Sequence, residues 1–416
     1  VIAGGAEPAD SAAVEEYDGT NWTSVTSIPT ATNTMGSANQ GPQTSTIMFG
    51  GGNPDSNRTL SYDGTNWTTQ GTLATARLGI GGAGASGTSG LGFGGYINPT
   101  TSQSALTEEY NFGTTVVTAA AWASGDTMND ARSNVQGARN GTQTSSLAFS
   151  GYPIPANMKK TEEYDGSAWT VKNNMVGTGR YSGGGTGVVT AAITAGGALD
   201  PPAVTNLVEE FDGTDWTTAT AITTARKGGT LVGTQTAAAL FGGDVEPTTP
   251  RSSGVTEEYN GSIWATSPAT MNTSRVTYNA GAGLQTAGLI WGGGTFPGFT
   301  NVTEEYDGTS WTSGNNYLIT VVQGSGAGIQ TAAFGAGGIE HPGTVTIGKT
   351  FTYDGTNWAT APSLGSARYT AGSAGTSSTG IVFGGNLNVP WPGATGVTEE
   401  FTAATTAANL KTITTS

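Results

Sequence analysis

Paired glutamates are the residues of this chain best suited to chemistry, because adjacent carboxylates can bind hard cations or share the acid and base roles of glycoside hydrolysis. Fourteen of the 17 glutamates occur in such pairs. Every pair occupies the same position in a repeated segment, so we do not expect the pairs to converge on one site. We expect them to form ion pairs or to protect strand edges, and to bind no metal. The pairs are Glu15-Glu16, Glu108-Glu109, Glu162-Glu163, Glu209-Glu210, Glu257-Glu258, Glu304-Glu305 and Glu399-Glu400.

The remaining reactive residues are too few for a known catalytic arrangement. His341 is the only histidine and there is no cysteine, so neither a nucleophilic triad nor a histidine or thiolate metal site can be assembled. A glycosidase pair would have to come from Glu7, Glu246, Glu340 or the loop aspartates. Residues 79–84 match G-x-G-x-x-G, but a dinucleotide site needs a helix after this motif, and here a strand is predicted. We expect no catalytic residue and no cofactor.

The composition argues against two further classes of function. The 416 residues include 30 acidic and 15 basic side chains and carry a formal charge of −15, so no basic surface is available for a nucleic-acid backbone. The chain contains no run of about 18 apolar residues, which argues against membrane insertion. The first residue is Val1 and not Met, and from this we expect a processed or truncated product.

The glutamate pairs belong to a repeat that fills the chain. A Tyr or Phe follows each pair, Asp-Gly usually comes next, and a Trp usually lies five positions after the aromatic residue. Successive tryptophans are 45, 55, 47, 47, 48, 47 and 47 positions apart, and the long step reflects a seven-residue insertion between Tyr110 and Trp122. The last repeat has Phe401 and no Trp after it. The tryptophans of the repeat are Trp22, Trp67, Trp122, Trp169, Trp216, Trp264, Trp311 and Trp358.

Each repeat predicts four short β-strands, which we call A to D. Strand A is a stretch of Gly, Ala, Ser and Thr that is often led by Arg, and strand B is an apolar run that ends in two glycines. Strand C holds the glutamate pair, and strand D begins at the Trp. The Asp-Gly pair between them suits a tight turn, because Gly readily adopts a positive φ. No segment has convincing helical periodicity, so we expect an all-β protein.

In these features the sequence resembles the kelch repeat of β-propellers, with its paired glycines, Glu-x-Tyr-Asp and following Trp. The resemblance implies four-stranded blades around a central axis, with about 50 residues per repeat. We expect a single domain over residues 1–416, with nine blades favoured and eight as the alternative. Repeat one lacks strand A. Residues 402–416 are the closing segment, in which either 410–414 form a ninth outer strand or the two ends of the chain share one blade.

The propeller interpretation assigns structural roles to the repeated residues. The small side chains of strand A suit the crowded axis. Tyr17 and the eight tryptophans from Trp22 to Trp358 are expected to fill the space between blades, which widens outward. One glutamate of each pair is expected to meet the strand-A Arg of a neighbouring blade.

Binding is expected on one face of the disc. In a four-stranded blade the A–B and C–D turns lie on one face, and the B–C and D–A connections lie on the other. The B–C loops differ in every blade, and variable loops on a rigid scaffold are where recognition usually resides. The aromatic residues of these loops are the candidate binding residues, namely Tyr96, Tyr152, Phe296, Phe299 and Trp391.

We therefore expect a non-enzymatic binding or structural module that acts outside the cytoplasm. The Thr-rich blades and the scarcity of Lys also resemble repeat proteins of marine bacteriophage virions and bacterial surfaces. That resemblance implies a tail, fibre or capsid-attached protein at the virion surface. Its partners would be other virion or surface proteins and host surface glycans, and a homo-oligomer is compatible with this role. The first alternative is a bacterial cell-surface or secreted adhesin, and the second is a carbohydrate-active enzyme.

Overall fold

The computed structural model describes residues 1–416 apart from 7–8, 39, 53–55, 98–101, 153–157, 201–202, 388–392 and 414–416, and it describes only the backbone of 111–116 and 407–413. Its described part is built from β-strands and contains no α-helix. No helix of membrane-spanning length and apolarity was found in the described part of the chain. The chain forms two compact units. Unit 1 comprises 1–118 and 405–416, and unit 2 comprises 119–404.

Three sheets of unit 1 are blades. Neighbouring strands within each of these sheets run antiparallel. Blade 1 is β1-β2-β3, blade 2 is β4-β5-β6-β7, and blade 3 is β8-β9-β12-β40, while β10 and β11 form a separate hairpin. The strands are β1 (Ile2–Ala3), β2 (Val14–Tyr17), β3 (Trp22–Val25), β4 (Gly36–Ser37), β5 (Thr46–Phe49), β6 (Thr59–Tyr62), β7 (Trp67–Thr69), β8 (Gly81–Ser86), β9 (Ser89–Phe93), β10 (Tyr96–Ile97), β11 (Ser102–Gln103), β12 (Thr107–Thr118) and, from the end of the chain, β40 (Thr405–Ile413).

Unit 2 contains six four-stranded antiparallel sheets. Blades 4 to 7 are β14–β17, β18–β21, β22–β25 and β26–β29, blade 8 is β31-β32-β35-β36, and blade 9 is β37-β38-β39-β13. The strands are β13 (Ala121–Ser124), β14 (Gln136–Gly137), β15 (Ser146–Phe149), β16 (Thr161–Tyr164), β17 (Trp169–Lys172), β18 (Gly184–Val188), β19 (Ala191–Ala195), β20 (Val208–Phe211), β21 (Trp216–Ala219), β22 (Thr230–Thr234), β23 (Ala237–Phe241), β24 (Val255–Tyr259), β25 (Trp264–Thr270), β26 (Gly281–Leu284), β27 (Ala287–Trp291), β28 (Thr303–Tyr306), β29 (Trp311–Ser313), β30 (Thr320–Val322), β31 (Ser325–Ile329), β32 (Ala332–Ala336), β33 (Ile339–His341), β34 (Val345–Thr346), β35 (Thr350–Tyr353), β36 (Trp358–Ala361), β37 (Gly372–Gly375), β38 (Thr379–Phe383) and β39 (Thr398–Thr402).

The six blades of unit 2 close a ring. The innermost strands β14, β18, β22, β26, β31 and β37 contact one another in that order, and β37 also contacts β14. The inner strands approach so closely that a side chain is excluded at the contact. A Cβ placed on Gly137 would lie 2.7 Å from the carbonyl oxygen of Ser373 in the adjacent inner strand. Small residues in strand A are therefore a steric requirement of this β-propeller.

The predicted count of nine blades in one domain is not confirmed, because repeat three is divided between the units. Its last strand, β13, pairs with β39 of repeat nine, where Trp122 lies opposite Phe401. This pairing supplies the Trp strand that repeat nine lacks. The vacated outer position in repeat three is taken by β40, which pairs with β12 from Thr107 opposite Ile413. The seven-residue insertion after Tyr110 extends β12, and the chain then enters unit 2.

The turn between strands C and D is held by its Asp. Asp165 Oδ1 accepts hydrogen bonds from the amides of Ser167 and Ala168, both at 2.8 Å, and Gly166 has a φ of 93°. The pKa of the Asp165 carboxyl lies below its usual range, chiefly because the Ser167 side chain also donates to it, with the two amides adding to the effect. The same amide contacts recur at Asp18, Asp63, Asp212, Asp307 and Asp354.

Six blades contain a buried ion pair between the strand-A Arg and the first glutamate of strand C. In blade 4, Arg132 Nη2 lies 2.7 Å from Glu162 Oε1, and both side chains are buried. Arg132 Nη1 also donates to the carbonyls of Ser150 and Lys160, and the Glu162 carboxylate accepts from the amide of Asn129. Burial lowers the pKa of Arg132, while Glu162 acts in the opposite direction. The pairs are Arg77–Glu108, Arg132–Glu162, Arg180–Glu209, Arg226–Glu257, Arg275–Glu304 and Arg368–Glu399.

The prediction of which glutamate this Arg contacts was wrong in one respect. Both members of each pair belong to the same blade, not to neighbouring blades, as β14 and β16 of blade 4 show. The reason is geometric, because the Arg precedes the inner strand and its long side chain reaches past strand B to strand C. The pair therefore holds one blade together, and other contacts hold adjacent blades.

Two repeats replace both members of the pair together. In blade 8, Val321 stands at the Arg position and Phe351 at the glutamate position. In blade 2 the corresponding residues are Thr32 and Leu60. The backbone confirms the alignment, since the carbonyls of Arg132, Val321 and Thr32 each accept from the second glycine of the preceding strand B. Joint replacement is expected when either charge alone would be buried without a partner.

Contacts between adjacent blades of unit 2 repeat around the ring. In four of the six blades the indole nitrogen of the Trp donates to a Thr hydroxyl at the start of the preceding blade's strand C, as Trp216 does to Thr161 at 2.8 Å. The Tyr of strand C donates to the second glutamate of the preceding blade, as Tyr259 does to Glu210 at 2.8 Å. Burial, followed by this carboxylate, raises the pKa of Tyr259 to about 12. Buried tryptophans at this position are Trp67, Trp169, Trp216, Trp264, Trp311 and Trp358, while Trp122 is half-buried.

Blade 1 differs from this pattern. Tyr17 and Trp22 were expected between blades, but they are 45% and 51% exposed. In unit 2 each such Trp packs against the blade before it, and blade 1 is the first blade of unit 1. Blade 1 also lacks an inner strand, because β1 corresponds to strand B.

The joint replacements in blades 2 and 8 predict the behaviour of a matched set of variants. Arg132→Val alone should lower the free energy of unfolding by about 3–5 kcal/mol, because Glu162 would remain buried without its counter-charge. Adding Glu162→Phe, which copies blade 8, should recover most of that loss. Equilibrium unfolding in urea measures both variants. A double variant no more stable than Arg132→Val would contradict the assignment.

Candidate functional site

The centre of the unit 2 ring is filled by two side chains. Arg139 is buried and donates to the carbonyls of Gly185, Asn279 and Gly281 at 3.1, 2.9 and 2.8 Å. Its Nη2 also donates to the Asn279 side-chain oxygen at 2.8 Å. The Asn279 amide in turn donates to the carbonyls of Val135 and Ala371. These bonds join four blades across the axis, so the axis is a structural support and not an open site.

Both side chains reach the axis through small insertions in strand A. Five blades of unit 2 have a glycine of positive φ seven or eight positions after the Arg position, such as Gly187 and Gly283. Blade 4 has Arg139 there, followed by a longer A–B turn, and blade 7 has one extra residue before β26. Burial lowers the pKa of Arg139 to about 10. Sequence reasoning missed both residues, although the departures from the repeat could have revealed them.

The candidate binding site is a pocket on the B–C loop face of blades 7 and 8. It has a volume of about 460 Å³. Phe296 and Phe299 of the blade 7 loop line one side and are 44% and 50% exposed. Val276 and Val322 add apolar surface, and Tyr278 and Gln323 complete the lining. The pocket thus offers exposed aromatic rings beside a few polar groups, a composition typical of small-molecule sites.

His341 holds one of these rings in place. Its imidazole stacks on Phe299 with the ring centroids 3.7 Å apart and the planes 9° from parallel. His341 ends β33, which pairs with β30 in a small three-stranded sheet under the loops of blade 8. From the sequence, the single histidine had no predicted role in the site. The structure instead places it behind an exposed aromatic ring, which a lone histidine in the sequence could not indicate.

A network of four charges borders the pocket on the side of blade 6. Lys227 Nζ lies 2.7 Å from Glu246 Oε2, and Arg251 Nη2 lies 2.5 Å from Asp244 Oδ2. Arg251 also pairs with Glu246. The guanidinium carbon of Arg251 lies 4.6 Å from the centroid of the Phe296 ring, a cation–π arrangement. The network therefore fixes the position of the second exposed ring.

The network also determines the protonation of its bases. Hydrogen bonding to Asp244 is the main reason that the pKa of Arg251 lies above its usual range. Burial lowers the pKa of Lys227, but the hydrogen bond and charge of Glu246, with the charge of Asp244, outweigh it and leave the pKa raised. Both bases are therefore charged near neutral pH, and each lies beside a carboxylate. The rim is polar without a strong net field.

Tyr278 supplies the hydroxyl group of the pocket. Its amide donates to the carbonyl of Gly228, and the nearby Gln323 side chain acts to lower the pKa of its hydroxyl. Burial is the main cause that raises the pKa of Tyr278, so the phenol is neutral at physiological pH. Tyr278 and Gln323 have φ values of 55° and 57°, at a place before strand A where Asn134, Ser182 and Thr370 also have positive φ. Their backbone conformation is thus a property of the repeat, which presents the side chain at this position to the face.

The predicted binding residues fall into separate places. Phe296 and Phe299 come together in the pocket. Tyr152 lies on blade 4, where its ring packs edge-on against Tyr181 at 5.4 Å. Tyr96 belongs to the β10–β11 hairpin of unit 1, and Trp391 lies outside the described residues. Sequence reasoning did not identify Tyr278, Gln323, Arg251 or His341 as neighbours of the two phenylalanines.

The accessible groups of the site are aromatic or uncharged. In the described part of the chain no group of three or more Asp, Glu or His side chains is arranged to hold a metal ion. His341, the one imidazole, faces an aromatic ring. The carboxylates nearest the pocket, Asp244 and Glu246, are occupied by Lys227 and Arg251. What remains accessible is two aromatic faces, a phenol and an amide.

Comparison with known proteins supports the fold. No protein-family profile matches the chain, and no curated protein matches it. Among solved structures, one titled "Structure of YjhT" aligns with a TM-score of 0.54 and 13% sequence identity, over 68% of this chain and 99% of that one. At this identity the similarity concerns architecture and carries no activity. Together with the antiparallel four-stranded sheets, it shows that the chain is a β-propeller protein.

Proposed function

We propose that the chain is a non-enzymatic binding module and that the pocket of Phe296, Phe299, Tyr278 and Gln323 binds a saccharide. The single observation that carries this proposal is the pair of exposed phenyl rings, each in contact with a charged or aromatic partner, beside a half-buried phenol and an amide. A pyranose ring has an apolar face of C–H groups that stacks on aromatic rings and hydroxyls that hydrogen-bond to polar side chains. The pocket matches both requirements.

The fixed geometry of the rings supports a binding role. His341 and Arg251 hold Phe299 and Phe296 from behind, so little conformational entropy is lost when a ligand stacks on them. The closed ring of six blades beneath the loops provides a rigid base. An exposed aromatic pair of this kind has no role in the core of unit 2, whose apolar clusters exclude both phenylalanines.

A glycan array followed by calorimetry on the best ligand tests this proposal. Phe299→Ala should weaken binding at least about tenfold, or ~1.4 kcal/mol, because a stacking surface is lost. Tyr278→Phe should weaken it less, through loss of one hydroxyl. Ile263→Ala is the matched control, since Ile263 is an exposed apolar residue on a C–D turn at the opposite face. Its affinity should equal that of the wild type.

Either of two results would refute the proposed function. One is unchanged affinity in Phe299→Ala for a glycan that the wild type binds. The other is release of reducing sugar from that glycan, which would establish the carbohydrate-active enzyme instead.

We further propose a setting for this module, namely the surface of a bacteriophage virion, where it contacts host glycans. The support is the resemblance of the Thr-rich, kelch-like repeats to virion repeat proteins. Mass spectrometry of density-purified particles should find peptides of this chain at a fixed ratio to the major capsid protein. Peptides found only in cell-surface or secreted fractions of the host would favour the adhesin.

A further inference from the structure

The leading end of unit 1 exposes a surface that is buried in unit 2. The rings of Tyr17 and Trp22 in blade 1 lie 5.1 Å apart, and about half of each residue is exposed. The equivalent residues of blade 4, Tyr164 and Trp169, are buried, because Trp169 packs on Phe383 of the preceding blade at 5.1 Å. The Tyr17–Trp22 surface therefore has the form of one half of a contact between blades.

The trailing end of unit 1 exposes the other half of such a contact. Phe93 ends β9 in blade 3 and is 42% exposed. Its counterparts Phe149, Phe241 and Phe383 are fully buried in unit 2. Each of them packs edge-on against the Trp of the following blade, as Phe149 does against Trp216 at 5.0 Å. Phe93 is the residue of blade 3 that would meet such a Trp.

The hydrogen-bonding groups at the two ends of unit 1 are also complementary, with a Trp indole on blade 1 and a Thr hydroxyl on blade 3. In four of the six blades of unit 2 the Trp indole donates to the Thr that begins strand C of the preceding blade, as Trp169 does to Thr398 at 2.9 Å. In blade 3 the corresponding residue is Thr107, the first residue of β12. Phe93 and Thr107 lie opposite one another in the pairing of β9 with β12, so both are presented at the same end of blade 3. Trp22 of a following blade would contact the pair.

The number of blades indicates which molecule supplies the blade that follows blade 3. Six blades of this repeat close a ring in unit 2, and unit 1 contributes three. Two sets of three blades therefore complete one ring of the same size. Joining them head to tail twice gives a closed twofold assembly, which leaves neither end exposed. Large apolar side chains exposed together are characteristic of interaction surfaces.

We propose that two copies of this chain associate through unit 1, with Phe93 and Thr107 of each copy packed against Tyr17 and Trp22 of the other. The partner is a second copy of the chain. Each copy carries both complementary surfaces, and two sets of three blades make the six blades of a closed ring. This association is independent of the saccharide pocket, which lies wholly within unit 2.

Sedimentation velocity of the full chain at micromolar concentration gives a first test. The wild type should sediment at twice the monomer mass of 41.8 kDa. Trp22→Ala and Phe93→Glu should each sediment at the monomer mass, with unchanged thermal unfolding of unit 2. Ile263→Ala, the exposed control, should remain dimeric. A monomeric wild type, or dimers that survive both variants, would overturn the proposal.

The absence of cysteine allows a second test that distinguishes head-to-tail packing from any other dimer. Trp22→Cys and Phe93→Cys are prepared separately and then mixed under oxidising conditions. Because the two positions meet only between copies, the mixture should yield a covalent dimer on a non-reducing gel, and neither variant alone should do so. Equal cross-linking in the separate variants, or none in the mixture, would contradict the packing.

Discussion

The pairing of β13 with β39 is the interaction on which the structure of unit 2 depends. It joins residues near position 122 to residues near position 401, and by completing blade 9 it closes the ring of six blades. Tyr164 of blade 4 then donates to Glu400 of blade 9 at 2.6 Å, and Trp169 packs on Phe383. These contacts across the closure recur between other successive blades, as Tyr259 with Glu210 and Phe149 with Trp216 show. Ring closure therefore needs no interface of its own, because the repeat provides the contacting residues on both blades.

In a ring closed in this way, contacts within and between the blades account for stability. The buried Arg–Glu pairs hold strands A and C within a blade, and the Trp–Thr and Tyr–Glu bonds hold each blade to the one before it. Arg139 and Asn279 tie the inner strands together across the axis. All of these groups are buried or part-buried and occupied. The loops between strands B and C are left to vary, and the loop of blade 7 places Phe296 and Phe299 in a pocket.

The sequence predicted the repeat, its four strands and the small residues of strand A, because these follow from periodicity and from the crowding of inner strands at the axis. It did not predict how the blades are divided between two units, since repeats were assumed to be contiguous and repeat three is not. Two observations pointed to the exchange: the insertion after Tyr110 and the missing Trp after Phe401. The same-blade location of Arg132 and Glu162 depends on side-chain reach, which spacing does not give. The stacking of His341 on Phe299 joins two loops that are 42 positions apart, and nothing local to either loop indicates it.

Hydrogen exchange with and without a bound glycan would test most directly that unit 2 recognises its ligand through the loops of blades 6 to 8. The account predicts slower exchange upon binding in residues 244–251, 294–300 and 320–323, with little change in the C–D turns at 165–168 and 212–215. Slower exchange confined to those turns, or spread evenly around the ring, would contradict it.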